Sequence, residues 1–184
     1  MREIKFRAWD FYEKEVLENV TPLFDELGNM IAIVTDFQII GSPGTSEIEI
    51  GSYDTTLNWD DFPYILMQYT GLKDKNGVEI YEGDIVEASW GSDYPEGYHP
   101  ISIYRGSVKF GEYEQDGSGG EYRGSPCIGF YGEFVQGADS DREFTNLDSW
   151  AYERFQSLLK FDEIKVIGNI YENPELLKES GASE

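Results

Sequence analysis

The residues of this chain that could do chemistry are few. Its one cysteine, Cys127, and its one histidine, His99, are the only thiol and imidazole in 184 residues. A thiol and an imidazole brought together could form a nucleophile and its base. Neither residue, however, is surrounded by a nucleophile signature, and a lone cysteine ordinarily behaves as a small buried hydrophobe. His99 stands between Tyr98 and Pro100 and is expected in a solvated loop. One cysteine excludes an internal disulfide, and one histidine excludes the usual zinc frameworks.

Oxygen ligands are plentiful. Asp74-Lys75-Asn76-Gly77 places Asp, Asn and Gly at the third, fifth and sixth places of a calcium-loop pattern. The first and twelfth places would then be Leu72 and Gly83, and neither side chain offers an oxygen, so a hairpin turn explains the stretch better. Asn76-Gly77 reads as the centre of a two-residue type I′ turn. Glu82 and Asp84 flank Gly83 and could act as an acid and base pair, or share a divalent ion with Asp60 and Asp61. The plainer reading is that Asp84 caps a turn and Glu82 lies on a solvated edge. No catalytic, cofactor-binding or metal-binding residue is assigned, and the chain is read as a non-enzyme.

The elements that would position these groups are strands. Ile4, Phe6 and Ala8 alternate with Lys5, Arg7 and Trp9, the period of a half-buried strand with its cations on an exposed face. Glu15 to Val20 repeats the pattern, Thr21-Pro22 breaks it, and Met30 to Val34 is apolar enough for a central strand. Gly41 to Gly44 reads as a loop and Glu47 to Ile50 as an exposed strand. Polar residues from Asn58 to Pro63 mark a boundary. Beyond it, residues 63–86 form a hairpin, and Gly83 and Gly106 each open a strand in the manner of small SH3-like barrels, with a loop from Ser92 to Pro100 between them. Gly117 to Gly124 reads as a mobile loop and Cys127 to Val135 as a further strand. Leu147, Trp150, Ala151, Phe155, Leu158 and Leu159 recur at helical spacing from a cap at Asn146 or Asp148, predicting one amphipathic helix. Ile164 to Tyr171 is a strand, and Asn173-Pro174 starts a short helix through Leu177. The expected organisation is a small N-terminal β lobe over 1–62, a barrel lobe with its C-terminal helix over 63–178, and a disordered tail over 179–184.

Charge narrows the partners. Thirty-six acids against fourteen bases leave −22, which repels nucleic acid and anionic membranes. Aromatic residues make up 15% of the chain, and stacking on single strands would also need cations; between Glu112 and Glu143 eight acids face only Arg123 and Arg142. Direct nucleic-acid binding is therefore not expected. The same acidity raises an alternative, imitation of the DNA backbone to occupy a host DNA-binding protein. No apolar run reaches the length of a membrane span, and Met1-Arg2-Glu3 leads into a strand rather than a signal peptide, so the expected location is the cytoplasm.

Three segments taken together resemble the YopX family of phage and prophage proteins. They are Arg2 to Asp10 (REIKFRAWD), Met67 to Gly77 (MQYTGLKDKNG) with Glu79 to Val86 (EIYEGDIV), and Val166 to Leu177 (VIGNIYENPELL). The resemblance implies a mainly β protein with an SH3-like barrel portion, encoded by a phage or prophage. It implies no activity and supplies no catalytic residue. It also makes self-association worth testing. The functional expectation is a cytoplasmic accessory protein that binds a host or phage protein through its barrel surface or exposed loops, with an enzyme built on an acidic divalent-metal site as the competing class.

Overall fold

A computed structural model of the chain describes residues 3–38, 49–55, 63–115, 125–137 and 155–178. The chain divides into two compact units, Met1–Gly71 and Leu72–Glu184. Both are antiparallel β structures.

In the first unit β1 (Phe6–Asp10) lies between β2 (Glu15–Phe24) and β5 (Tyr64–Lys73), and β3 (Met30–Gln38) and β4 (Glu49–Thr55) follow β2, giving the order β4-β3-β2-β1-β5. Met30 to Val34 does form an internal strand, with Ala32, Ile33 and Val34 buried. Ala8, Val20, Ile33 and Tyr64 make the core. The alternation in β1 does not leave its cations on an open face. Arg7 is buried with Nη2 3.8 Å from Met67 Sδ, and the Lys5 ammonium lies over the Tyr69 ring. Tyr64–Gln68 pair with Asp10–Phe6, which ties the start of β5 to this unit and puts the division at Gly71/Leu72. Nor does Pro22 end its strand. A bulge between the Phe6–Val20 and Ala8–Leu17 pairs, with Asn19 at φ 55°, bends β2 away from β1, and Thr21–Phe24 then pair with β3 alone. A residue without an N–H is tolerated where only one flank of the strand is paired.

In the second unit β7 (Asp84–Tyr94), β8 (Gly97–Gln115) and β9 (Ser125–Gly137) form a meander. β10 (Phe155–Ser157) and β11 (Glu163–Asn169) flank it in the order β10-β9-β8-β7-β11, and the sheet curls into a half-barrel. β6 (Glu79–Tyr81) pairs with β5. Ile80, Val86, Ala88, Tyr104, Val108, Phe134, Leu158 and Phe161 fill the core. The expected loop from Ser92 to Pro100 is instead the end of the β7–β8 hairpin, with Ser92–His99 and Tyr94–Gly97 paired. Gly106 is needed for close packing: a Cβ there would lie 2.4 Å from the Glu133 carbonyl oxygen.

No α-helix occurs among the described residues, so the expected C-terminal amphipathic helix is corrected where it can be seen. Phe155–Ser157 pair with Glu133–Tyr131, and only Leu158–Lys160 form a 3₁₀ turn. Helical spacing would have put Leu158 and Leu159 on one buried stripe, yet Leu158 is 2% exposed and Leu159 77%. The flank of β9 offers unpaired backbone groups, and satisfying them outweighs helical propensity. Asn146 to Ala151 lie outside the described residues. Pro174–Leu177 is also 3₁₀, and Asn173 makes no side-chain capping bond to it; its Oδ1 accepts from Asn169 N instead.

Two hairpins share one turn chemistry, and it is not type I′. In Asp74-Lys75-Asn76-Gly77-Val78 the Gly77 amide donates to Asp74 O and the Asp74 amide to Val78 O. Gly77 alone takes positive φ, 84°. This is a right-handed turn closed by a glycine bulge. The Asp74 carboxylate selects it by accepting from Asn76 N at 2.7 Å and Val78 N at 2.9 Å. Asp25-Glu26-Leu27-Gly28-Asn29 repeats every feature, with Asp25 Oδ1 accepting from Leu27 N and Asn29 N and Gly28 at φ 85°. The second carboxylate oxygen distinguishes them. Asp74 Oδ2 accepts from Val166 N on β11 at 3.2 Å, across 92 residues, and Lys75 N donates to Ile164 O at 2.9 Å. The turn thus caps the outer edge of β11. Burial alone would raise the Asp74 carboxyl, but the amides of Val78, Val166 and Asn76 outweigh it and hold the group below its usual range.

Asp74→Ala leaves three part-buried amides without their acceptor, so it is expected to cost about 1–3 kcal/mol in urea unfolding at about pH 7. Asp25→Ala, removing an exposed local turn, should lower the melting temperature far less. A carboxyl with a lowered pKa stabilises the fold above its unfolded value and loses that contribution as the pH falls through the folded one, so the Asp74→Ala deficit should shrink in acid. Equal losses in the two variants would refute the long-range role of Asp74.

Candidate functional site

The carboxylates that could have formed a reactive centre are engaged with backbone amides. Glu82-Gly83 turns β6 into β7, with Gly83 at φ 82°. Asp84, 1% exposed, accepts from Tyr81 N at 2.7 Å and so caps the turn. Glu82 does not lie on a solvated edge. It is half-buried, and desolvation pushes its carboxyl above the ordinary range although Phe110 N donates to it. The two groups are directed at different amides, which does not suit a shared proton or ion. Asp60 and Asp61 lie outside the described residues.

Cys127 and His99 are not brought together. Cys127 on β9 pairs with Tyr113, fourteen positions along β8 from His99 (113 − 99), which pairs with Ser92. At the rise of a strand that separation is roughly 45 Å. The imidazole instead packs edge-on to Tyr94, with Nε2 4.0 Å from Glu96 Oε1. Among the described residues no three His, Cys, Asp or Glu side chains are grouped to hold a metal ion.

What the second unit does present is a relief of apolar and paired charged side chains. A shallow depression of about 260 Å³ has Leu72, Phe161 and Ile164 in its lining, with Lys75 paired to Glu163 at 2.9 Å on its rim. A smaller one of about 80 Å³ lies between Glu87, Ser89, Ile103 and Lys165. Trp90 fastens the segment before β11 to β7: it stacks on Phe161 at 5.0 Å and donates Nε1–H to Lys160 O, while Gly91 N donates to Asp162 Oδ2. Farther along, β8 and β9 continue past their other neighbours and expose Phe110 and Ile128. The strand expected over Cys127 to Val135 is present within β9, but the apolar pattern does not show where its covering strands end. Of the two loops expected to display a surface, Ser92–Pro100 is a paired hairpin end and Gly117–Gly124 lies outside the described residues.

These features define a mainly β protein in which Asp74 and Asp84 serve turns and Glu87, Glu133 and Glu163 form ion pairs. A family model described as YopX protein matches residues 5–178, so the chain belongs to the YopX family. It is similar to the protein EF1440 from Enterococcus faecalis, whose crystal structure shares 50% sequence identity, covers 97% of this chain and 100% of that one, and superposes with a TM-score of 0.60. No curated protein matches. No helix of the described residues is long and apolar enough to cross a membrane.

Glu82 offers a direct check of this electrostatic picture. A carboxyl raised by burial penalises the fold once ionised, so the penalty is absent in acid and grows as the pH rises through the carboxylate range. Glu82→Gln retains an oxygen for Phe110 N and is expected to melt higher than the parent at about pH 7 and equally at about pH 3. A lower melting temperature at neutral pH would contradict it.

Proposed function

We propose that this chain is a non-enzymatic accessory protein of a phage or prophage, working in the bacterial cytoplasm by binding another protein through the surface of its SH3-like half-barrel. The observation that carries this reading is the pairing of two features in one unit. Carboxylates that could act on a substrate are engaged by backbone amides at Asp74 and Asp84, whereas large apolar side chains at Phe110, Ile128 and Leu159 stand in solvent. Exposed apolar groups of this size on a folded sheet support an interaction role.

The competing class, an enzyme with an acidic divalent-metal site, makes a different prediction. A resident ion binding the native state would raise the melting temperature in proportion to its concentration over its dissociation constant. Millimolar Mg²⁺, Mn²⁺ or Ca²⁺ is expected to leave the melting curve unchanged, and a saturable rise would overturn the non-enzymatic reading. Affinity capture from bacterial lysate at moderate salt, with light scattering to give the mass of what is captured, tests the binding role. A recurrent stoichiometric partner is expected, and repeated recovery of the chain alone would count against it.

A further inference from the structure

The ladder between β8 and β9 runs well beyond the rest of its sheet. β7 accompanies β8 as far as Ser107, and β10 accompanies β9 only over Tyr131–Glu133. From Lys109–Gln115 and Ser125–Tyr131 the two strands pair with each other without interruption, as a ribbon. At its base the Gly83 amide donates to Val108 O at 2.9 Å. Its two faces differ.

The face carrying Tyr113 and Tyr131 is closed by aromatic contact. These rings stack at 4.9 Å, Phe155 meets Tyr131 edge-on, and Lys109 pairs with Glu133. The opposite face is the continuation of the half-barrel's interior. No register shift interrupts the pairing from Gly106–Phe134 onward, so the alternation that buries Val108 and Phe134 next presents Phe110, Phe130 and Ile128 on the same side. Phe110 is 52% exposed and Ile128 79%, with Phe110 edge-on to Phe130 at 5.0 Å. Glu112, opposite Ile128, and Glu114, opposite Pro126, share this face and are exposed.

Charge decides what fits it. A second copy applied face to face would bring Glu112 and Glu114 against their own equivalents, on a molecule already at −22, and an anionic membrane would be repelled likewise. We propose that the Phe110–Ile128–Phe130 face of the ribbon is a docking surface for a protein whose contact patch is aliphatic at its centre and lined with lysine or arginine. The partner's apolar side chains continue the barrel interior, while its cations meet Glu112 and Glu114. This rests on the binding role proposed above and names the surface and partner chemistry for it.

The test uses the full chain and two synthetic helix-forming peptides with identical leucine spacing, one carrying lysines on its polar face and the other glutamates. Isothermal titration should show binding of the lysine peptide only. The double substitution Phe110→Ser with Ile128→Ser should weaken it by about tenfold or more, as should Glu112→Lys with Glu114→Lys. Glu13→Lys with Glu26→Lys, exposed acids of the first unit, should weaken it far less. All four ribbon positions are exposed, so melting curves should stay unchanged. Failure of the lysine peptide to bind, or binding that all three variants weaken alike, overturns the proposal. So does a dimer by light scattering that Phe110→Ser with Ile128→Ser converts to monomer, because a second copy would then cover the face. Should lysate capture still recover a partner with that variant, the binding role stands and this surface is wrong.

Discussion

One carboxylate holds the second unit's sheet edge in place. Asp74 is a turn residue by sequence position and an edge-capping residue by geometry. One oxygen organises the β5–β6 hairpin, and the other meets the amide of Val166 on β11. With the Lys75–Ile164 bond beside it, the turn does for the free flank of β11 what a further strand would do. An unpaired strand edge invites association with any other chain. Here that edge is closed by two residues of a hairpin. Ile80, Val86 and Ala88 lie in the core of the same unit.

Much of this was legible in the residues. Period-two alternation located the strands, and Asn76-Gly77 located the turn between β5 and β6 though not its type. Asp84 could be assigned as a cap because it follows a turn glycine. What was not legible came from partners distant in sequence. The 3.6-residue spacing of Phe155, Leu158 and Leu159 is real, but β9 supplies a ladder for Phe155–Ser157, and helical periodicity cannot register a pairing partner 22 residues earlier (155 − 133). Asn76-Gly77 suits a type I′ turn in isolation. The Asp at its head, with amides to satisfy, favours the right-handed alternative. Pro22 reads as a break only if β2 is assumed to be paired on both sides.

The candidate site illustrates the same division. That Asp84 would cap a turn could be argued from turn chemistry; that Glu82 would be half-buried could not. The strand over Cys127 to Val135 was visible in the sequence. Where the core stops was not, because that depends on how far β7 and β10 extend alongside β8 and β9. A sheet whose inward face outruns its covering strands turns core residues into surface ones without any change in pattern. On that face two exposed acids, Glu112 and Glu114, stand beside them.

Amide hydrogen exchange at Val166 addresses the central claim most directly. Its N–H is bonded to a side chain and not to a neighbouring strand, so ordinary edge behaviour would let it exchange by local fraying. If Asp74 closes the sheet, Val166 exchanges at neutral pH with protection comparable to that of Ile85 and Val86 on β7, and Asp74→Asn lowers its protection selectively. Rapid exchange of Val166 in the unmodified protein, with β7 still protected, would show that the edge is open and that the carboxylate serves its own turn alone.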